Sequence, residues 1–285
     1  MGRPHIPIDT LSDILSWLPV KSLKRFSCVC KPWRSMLENP TFIAQHLKNS
    51  ALKTNGGCLL LTGFDRRKLD HDMFMFLDGK LGVSACLSVP IQVEYGVKFL
   101  GSCNGLLCLS RSFESDYLLW NPATKQHKQI PSADPNNGEP DNSFYDAFVG
   151  FAFVAETNDY ELVRVAYYCY SDDESMVALS QVYSTSTDIW REIDSPLPCY
   201  FHQISGCYKP CRLSIHWTPA NVKGSLYWTA YKFVGESEVN VIVGFNMVEE
   251  VFCELAMPEL RRTIAYGIQP VELKGSLGLI DYTPS

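Results

Sequence analysis

The densest run of metal-capable side chains in this 285-residue sequence is Cys199, His202, Cys207, Cys211 and His216. Their spacing falls within the two to five intervening residues, roughly, that zinc ligand pairs use. No C-x-x-C is present, however, and the segment reads as a Tyr- and Pro-rich insertion. Free thiols in a loop are the expectation, and no metal or other cofactor is assigned. No G-x-S-x-G elbow, G-x-G-x-x-G, P-loop or H-E-x-x-H occurs, so no catalytic residues are assigned and an enzyme is not expected. Two acidic, turn-rich stretches, residues 132–141 and 171–175, have the character of recognition loops or of plain solvated ones.

The elements that would carry such loops follow from composition and pattern. With 46% hydrophobic and 20% charged residues the chain is globular, and its length accommodates two domains. Charge is uneven. Residues 1–50 carry a balance of +4 and the remainder −10. A basic head on an acidic body argues against nucleic acid as a partner of the body. Eleven cysteines, irregularly spaced and without an N-x-S/T acceptor, fit reduced thiols in the cytoplasm and/or nucleus. No signal-peptide core or membrane-spanning run is present, so no membrane association is expected.

The first fifty residues have helical spacing. Ile8, Leu11, Ile14, Leu15 and Leu18 recur at threes and fours. Thr10 and Asp13 have the spacing of a capping box, with Asp9 a competing N-cap. Pro19 ends this helix. A second is expected from about Lys21, with Leu23, Phe26 and Val29 inward. A third carries Pro32 in its first turn with Trp33, Met36 and Leu37, and Phe42, Ile43 and Leu47 suggest a short last one. So short a chain is marginal alone and holds more large apolar residues than its core can hide. Either it caps the following domain or its surplus packs on a partner.

The ordered run Ile6 to Ser35, with Asn39-Pro40-Thr41-Phe42-Ile43 after it, closely resembles the plant-type F-box. Asp13 stands where the family more often has Glu, and Lys24 where it often has Leu. The resemblance implies docking on a Skp-type adaptor, acidic in this family, and through it on a cullin–RING ubiquitin ligase. Carried over residue by residue, the adaptor-binding face is Pro7, Ile8, Leu11, Ile14, Leu15, Leu18, Pro19, Val20, Leu23, Val29, Cys30 and Trp33. Some of these must hold the helices to one another, and the pattern does not say which.

Periodicity fades over residues 48–57, and short β runs follow. They include Cys58–Thr62, Met73–Leu77, Val97–Leu100, Gly105–Leu109, Tyr117–Trp120, Phe148–Val154, Leu162–Tyr170, Val177–Tyr183, Ser225–Ala230, Val239–Phe245, Val251–Leu255 and Leu277–Tyr282. No helical pattern of useful length separates them, which argues against a parallel βαβ sheet. Asn104-Gly105-Leu106, Lys223-Gly224-Ser225 and Lys274-Gly275-Ser276 look like one recurring strand start. Gly101 to Gly150 spans 49 positions and Gly224 to Gly275 spans 51. A period near fifty fits a kelch-like propeller, with a β-sandwich as the alternative.

Gly101-Ser102-Cys103-Asn104-Gly105-Leu106, Leu119-Trp120-Asn121-Pro122-Ala123-Thr124, Gly150-Phe151, Tyr183-Ser184-Thr185 with Trp190-Arg191, and Gly224-Ser225-Leu226-Tyr227-Trp228 are similar in order to the F-box-associated domain. So are Phe245-Asn246 and Leu273 to Leu277. The expected architecture is therefore mainly β with an N-terminal α module. A small three- to four-helix F-box (1–49) leads through a linker and first strands (50–96) to an antiparallel, propeller-like, kelch-related β domain (97–285). The family places another strand after Leu277–Tyr282, while the sequence stops at Ser285. Either a truncated form or a strand supplied otherwise accounts for that, and the number of blades and their closure stay open. The resemblance implies the substrate-recognition subunit of an SCF-type ligase, holding an unidentified protein substrate. The alternative is an adaptor-binding module with no ligase role.

Overall fold

The fold is described from a computed structural model of the chain. The residues it describes are 6–53, 58–65, 70–77, 83–89, 97–110, 116–133, 142–170, 176–198, 200–201, 218–235, 237–258 and 268–281. The chain divides into two compact units: residues 1–96 with 120–127, and 97–119 with 128–285.

The first unit opens with four helices, α1 (Ile8–Ser16), α2 (Val20–Phe26), α3 (Lys31–Leu37) and α4 (Pro40–Lys53). The capping box expected at Thr10 is not used. The helix begins at Ile8 behind Pro7, with no side-chain cap, so Thr10 and Asp13 already lie inside it. Pro19 sets the entry to α2, and Pro32 occupies the first turn of α3. The last helix is long rather than short, running past residue 49 to Lys53. Asn39 Oδ1 accepts from Thr41 N at 2.9 Å at its start. Further along, the buried Asn49 Nδ2 donates to Ser16 Oγ at 2.7 Å, fastening α4 to α1. A satisfied buried amide lets a poor helix former sit mid-helix. After α4 come β1 (Cys58–Asp65), β2 (Asp70–Leu77) and β3 (Val83–Ser88), an antiparallel three-stranded sheet.

The remaining strands form successive antiparallel meanders. The first sheet of this series holds β4 (Lys98–Cys103), β5 (Leu106–Ser110), β6 (Tyr117–Asn121) and β7 (Gln126–Gln129). The second holds β8 (Asn142–Val154), β9 (Asp159–Tyr170), β10 (Met176–Ser184) and β11 (Ile189–Glu192). In the third, β12 (Tyr200–Phe201) and β13 (Ala220–Val222) both pair with β14 (Ser225–Val234), followed by β15 (Ser237–Asn246) and β16 (Val251–Ala256). Last come β17 (Ile268–Leu273) and β18 (Ser276–Asp281), a two-stranded pair.

Two kinds of turn recur. Asn104-Gly105, Lys223-Gly224 and Lys274-Gly275 join β4 to β5, β13 to β14 and β17 to β18. Both residues of each pair have positive φ, as at Lys223 (51°) and Gly224 (80°). That is a type I′ hairpin, whose second position suits glycine. The four-residue turns from β6 to β7, β10 to β11 and β15 to β16 end on left-handed Lys125, Asp188 and Glu250. Asn121 Oδ1 accepts from Ala123 N and Thr124 N at 3.0 and 3.1 Å. Asn246 Oδ1 does the same for Val248 N and Glu249 N at 2.9 and 3.2 Å.

Every expected β run falls on a strand, but β3, β7, β11, β12, β13 and β17 were not foreseen. All four residues of β7 and three of four in β11 are exposed. These two edge strands bury little, so they leave no alternating apolar signal.

The core lies between sheet faces. Phe148, Val163, Val165 and Val182 of the second sheet pack with Leu226, Trp228, Val243 and Phe245 of the third. Gly150 is the point of closest approach, because a Cβ there would meet Leu226 and Trp228 at 2.5 and 2.8 Å. On the other side of the second sheet, Val149, Phe151, Leu162 and Tyr183 pack with Leu100, Cys108, Tyr117 and Leu119 of the first.

Candidate functional site

The helical module closes on a small core of Leu15, Leu23 and Phe42. Leu11, Leu18, Phe26, Trp33, Met36 and Leu37 lean on it, half-buried. Phe26 and Trp33 meet edge to face at 5.5 Å.

Of the residues expected on the adaptor face, Leu15 and Leu23 are thus inside. Leu11, Leu18, Val20 and Trp33 lie at the margin. Pro7, Ile8, Ile14, Pro19, Val29 and Cys30 face outward, with Ile8 59%, Ile14 53% and Val29 64% exposed. The apolar stripe on α1 is wider than so small a module can bury. Leu15 takes the interior, and Ile14, one residue round the helix, is left outside. Ile6, Trp17 and Ile43 are exposed as well, although the reading of the sequence left them off the face. Their apolar type beside the face was the available signal. Covering a half-exposed Ile or Val yields about 1 kcal/mol.

Cations rim these residues. Lys21, Lys24, Arg25, Lys31 and Arg34 are exposed, and Arg34 is drawn to a local acid, Glu38, at 3.6 Å within α3 and its cap. The thiols of Cys28 and Cys30 are free and exposed in the α2–α3 connection. What this arrangement can do is bind: it presents branched apolar side chains, fixed on short helices, inside a positive border.

The sheets hold polar clusters of a different kind. Arg164 is fully buried and donates from Nη1 to Gln181 Oε1 at 2.8 Å. Gln181 in turn donates to Ala133 O at 3.1 Å. Burial pushes the Tyr117 hydroxyl up to about 12, against the pull of the Arg164 guanidinium. Burial likewise pushes the Cys108 thiol up, which makes it an inert core residue. Asp159 accepts from Ser184 Oγ and Thr185 Oγ1, both at 2.5 Å, and from Ser186 Oγ at 2.8 Å. Burial opposes its charge, but these donors outweigh it and hold the carboxyl below the ordinary value. Among the described residues no group of three or more His, Cys, Asp or Glu is placed to hold a metal ion. The Cys199–His216 cluster and the acidic stretches lie almost wholly outside the described residues.

An F-box domain model matches residues 4–44, and the F-box associated beta propeller domain matches residues 75–271. The chain belongs to the F-box proteins that carry an F-box associated β-propeller domain. Among its relatives in Arabidopsis thaliana, F-box/kelch-repeat protein At3g23880 is 24% identical over 99% of this chain and 74% of its own length. F-box protein At3g07870 is 28% identical over 99% and 67%, and F-box protein CPR1 28% identical over 97% and 64%. This chain therefore spans about two thirds to three quarters of the length of these relatives. The pair of domains is, in general, that of substrate receptors in SCF complexes rather than of catalytic subunits. Among the described residues no helix is long and apolar enough to cross a membrane.

Proposed function

We propose that this chain is the substrate-recognition subunit of an SCF-type cullin–RING ubiquitin ligase. Pro7, Ile8, Ile14, Pro19, Val29 and Cys30, with the marginal Leu11, Leu18, Val20 and Trp33, receive a Skp-type adaptor and, through it, a cullin. The β domain holds a protein substrate and keeps its lysines near the conjugating enzyme. The chain itself does no covalent chemistry. Its contribution is proximity, which replaces a bimolecular encounter by a local one. Exposed free thiols at Cys28, Cys30 and Cys253 suit a reducing compartment, cytoplasm or nucleus.

One observation carries this reading: Ile8, Ile14 and Val29 stay outside while Leu15, Leu23 and Phe42 close the core. The test is co-purification of the full chain with a plant Skp-type adaptor and a cullin. Recovery of all three supports the ligase role. Recovery of the adaptor without the cullin favours a module outside any ligase, and recovery of neither removes the proposal.

A further inference from the structure

The basic border of the helical module carries a pattern that the apolar face leaves unexplained. Lys24 and Arg25 stand three and two residues before Ser27. No other Ser or Thr in the sequence has Lys or Arg at both of those positions. Two cations followed at that spacing by a hydroxyl suit the acidic peptide cleft of a basophilic Ser/Thr kinase. Carboxylates there hold the cations by charge-assisted bonds and so set the hydroxyl against ATP.

The fold leaves this run open to such a cleft. Lys24 and Arg25 are exposed on the last turn of α2, and Ser27 is its C-cap. Ser27 Oγ donates to Lys24 O at 2.8 Å, at the surface. The helix is seven residues long, and Leu23 is its one buried side chain. Helices that short owe their stability to packing more than to their own bonds. Leu23 precedes the run, and Ser27 is followed by the exposed connection Cys28–Cys30 into α3. The last turn can therefore unwind into an extended segment with Leu23 in place, giving up Phe26 against Trp33 and the module's core.

The same hydroxyl borders the adaptor face. Val29, 64% exposed, and Cys30 follow it by two and three residues. A phosphate on Ser27 adds about −1.5 to −2 charge. It would enter a border that holds Lys21, Lys24, Arg25, Lys31 and Arg34. There it cancels part of the positive field that selects a negative partner surface. It also sits at the C-terminus of α2, where the helix dipole opposes an anion. Any apolar surface closing over Val29 must strip water from it.

We propose that Ser27 is a phosphorylation site for a basophilic Ser/Thr kinase and that phosphate there releases the adaptor. Ser27 Oγ attacks the γ-phosphorus of ATP. The Oγ–P bond forms as the bond from that phosphorus to the β–γ bridging oxygen breaks, ADP leaves, and the hydroxyl proton passes to the kinase's base. The release rests on the adaptor-binding reading of the module, while the site itself does not.

The full chain is treated with Mg-ATP and one purified basophilic kinase, the catalytic subunit of cyclic-AMP-dependent protein kinase. Mass spectrometry finds phosphate on Ser27. Arg25→Ala, an exposed change to a better helix former, lowers kcat/KM for that site by at least ~10-fold. In calorimetric titration a plant Skp-type adaptor binds the phosphorylated chain at least ~10-fold more weakly, and phosphatase restores the affinity. Ser27→Ala binds the adaptor as wild type does, with or without kinase treatment. Ser27 free of phosphate, or a rate indifferent to Arg25→Ala, overturns the site. Unchanged or tighter adaptor binding by the phosphorylated chain overturns the switch and leaves the receptor reading standing. An unmodified chain that takes no adaptor removes the receptor reading and the switch with it, whatever the phosphate on Ser27.

Discussion

Leu15, Leu23 and Phe42 are the buried apolar side chains at the heart of the helical module. Between the second and third sheets, by contrast, Phe148, Val163, Leu226, Trp228, Val243 and Phe245 all stand almost wholly out of water. The module nevertheless leaves Ile8, Ile14 and Val29 more than half exposed, whereas the facing second and third sheets hide Phe148, Trp228 and Phe245 and leave apolar side chains such as Ile189 and Val251 exposed on edge strands and Val248 in a turn. Hydrophobic content alone does not separate these regions. What separates them is whether the chain provides a second surface for the central apolar face. Sheets stacked in series provide it for each other, and three short helices around α4 do not.

The contrast can be broken first where burial is deepest. Phe245→Ala opens a cavity between the sheets and costs about 3–5 kcal/mol, read from urea unfolding of the full chain. A loss below 1 kcal/mol would mean that the stacked faces do not carry the fold. Next comes Leu15→Ala, which removes a third of the module's buried cluster. It costs about 2–3 kcal/mol and lowers adaptor capture by unfolding the helices. Intact helices in Leu15→Ala by circular dichroism would contradict the assignment of Leu15 to the interior.

A smaller effect follows from Asp159. Its folded carboxyl lies below the ordinary value, so its stabilisation is complete above pH 4 or so and drains as pH falls through and below that range. Unfolding midpoints measured from pH 6 to pH 3 decline for the wild type. Asp159→Asn starts about 1 kcal/mol lower and flattens part of that slope. An unchanged slope would remove Asp159 from the account of acid sensitivity. Least of all, Arg191→Ala costs at most about 0.5–1 kcal/mol, because the pair with Glu250 is partly exposed and screened. That cost shrinks in 1 M salt; a salt-independent loss would show that Arg191 acts through packing.

Much of this was legible from residue order. Asn-Gly and Lys-Gly before Ser-Leu or Leu-Leu marked recurring strand starts, while the two positive φ values that make each of them a type I′ turn came only with the structure. Apolar β runs marked each central strand. The edge strands Gln126–Gln129 and Ile189–Glu192 left little trace, because what fixes them is pairing with a neighbour and not burial. At the candidate site, periodicity collected Ile8, Leu11, Ile14, Leu15 and Leu18 on one stripe but could not divide it. Division depends on where α4 crosses α1, and Asn49 bonded to Ser16 sets that crossing. No local pattern announces a contact thirty-three residues apart.

The most direct measurement is calorimetric titration of a plant Skp-type adaptor with the wild-type chain and with Ile14→Asp. Ile14 is the better probe than Leu18, which leans on the module's core. The account predicts an unfolding curve within about 0.5 kcal/mol of wild type together with at least ~100-fold weaker adaptor binding. Undiminished affinity in a folded Ile14→Asp chain would contradict it.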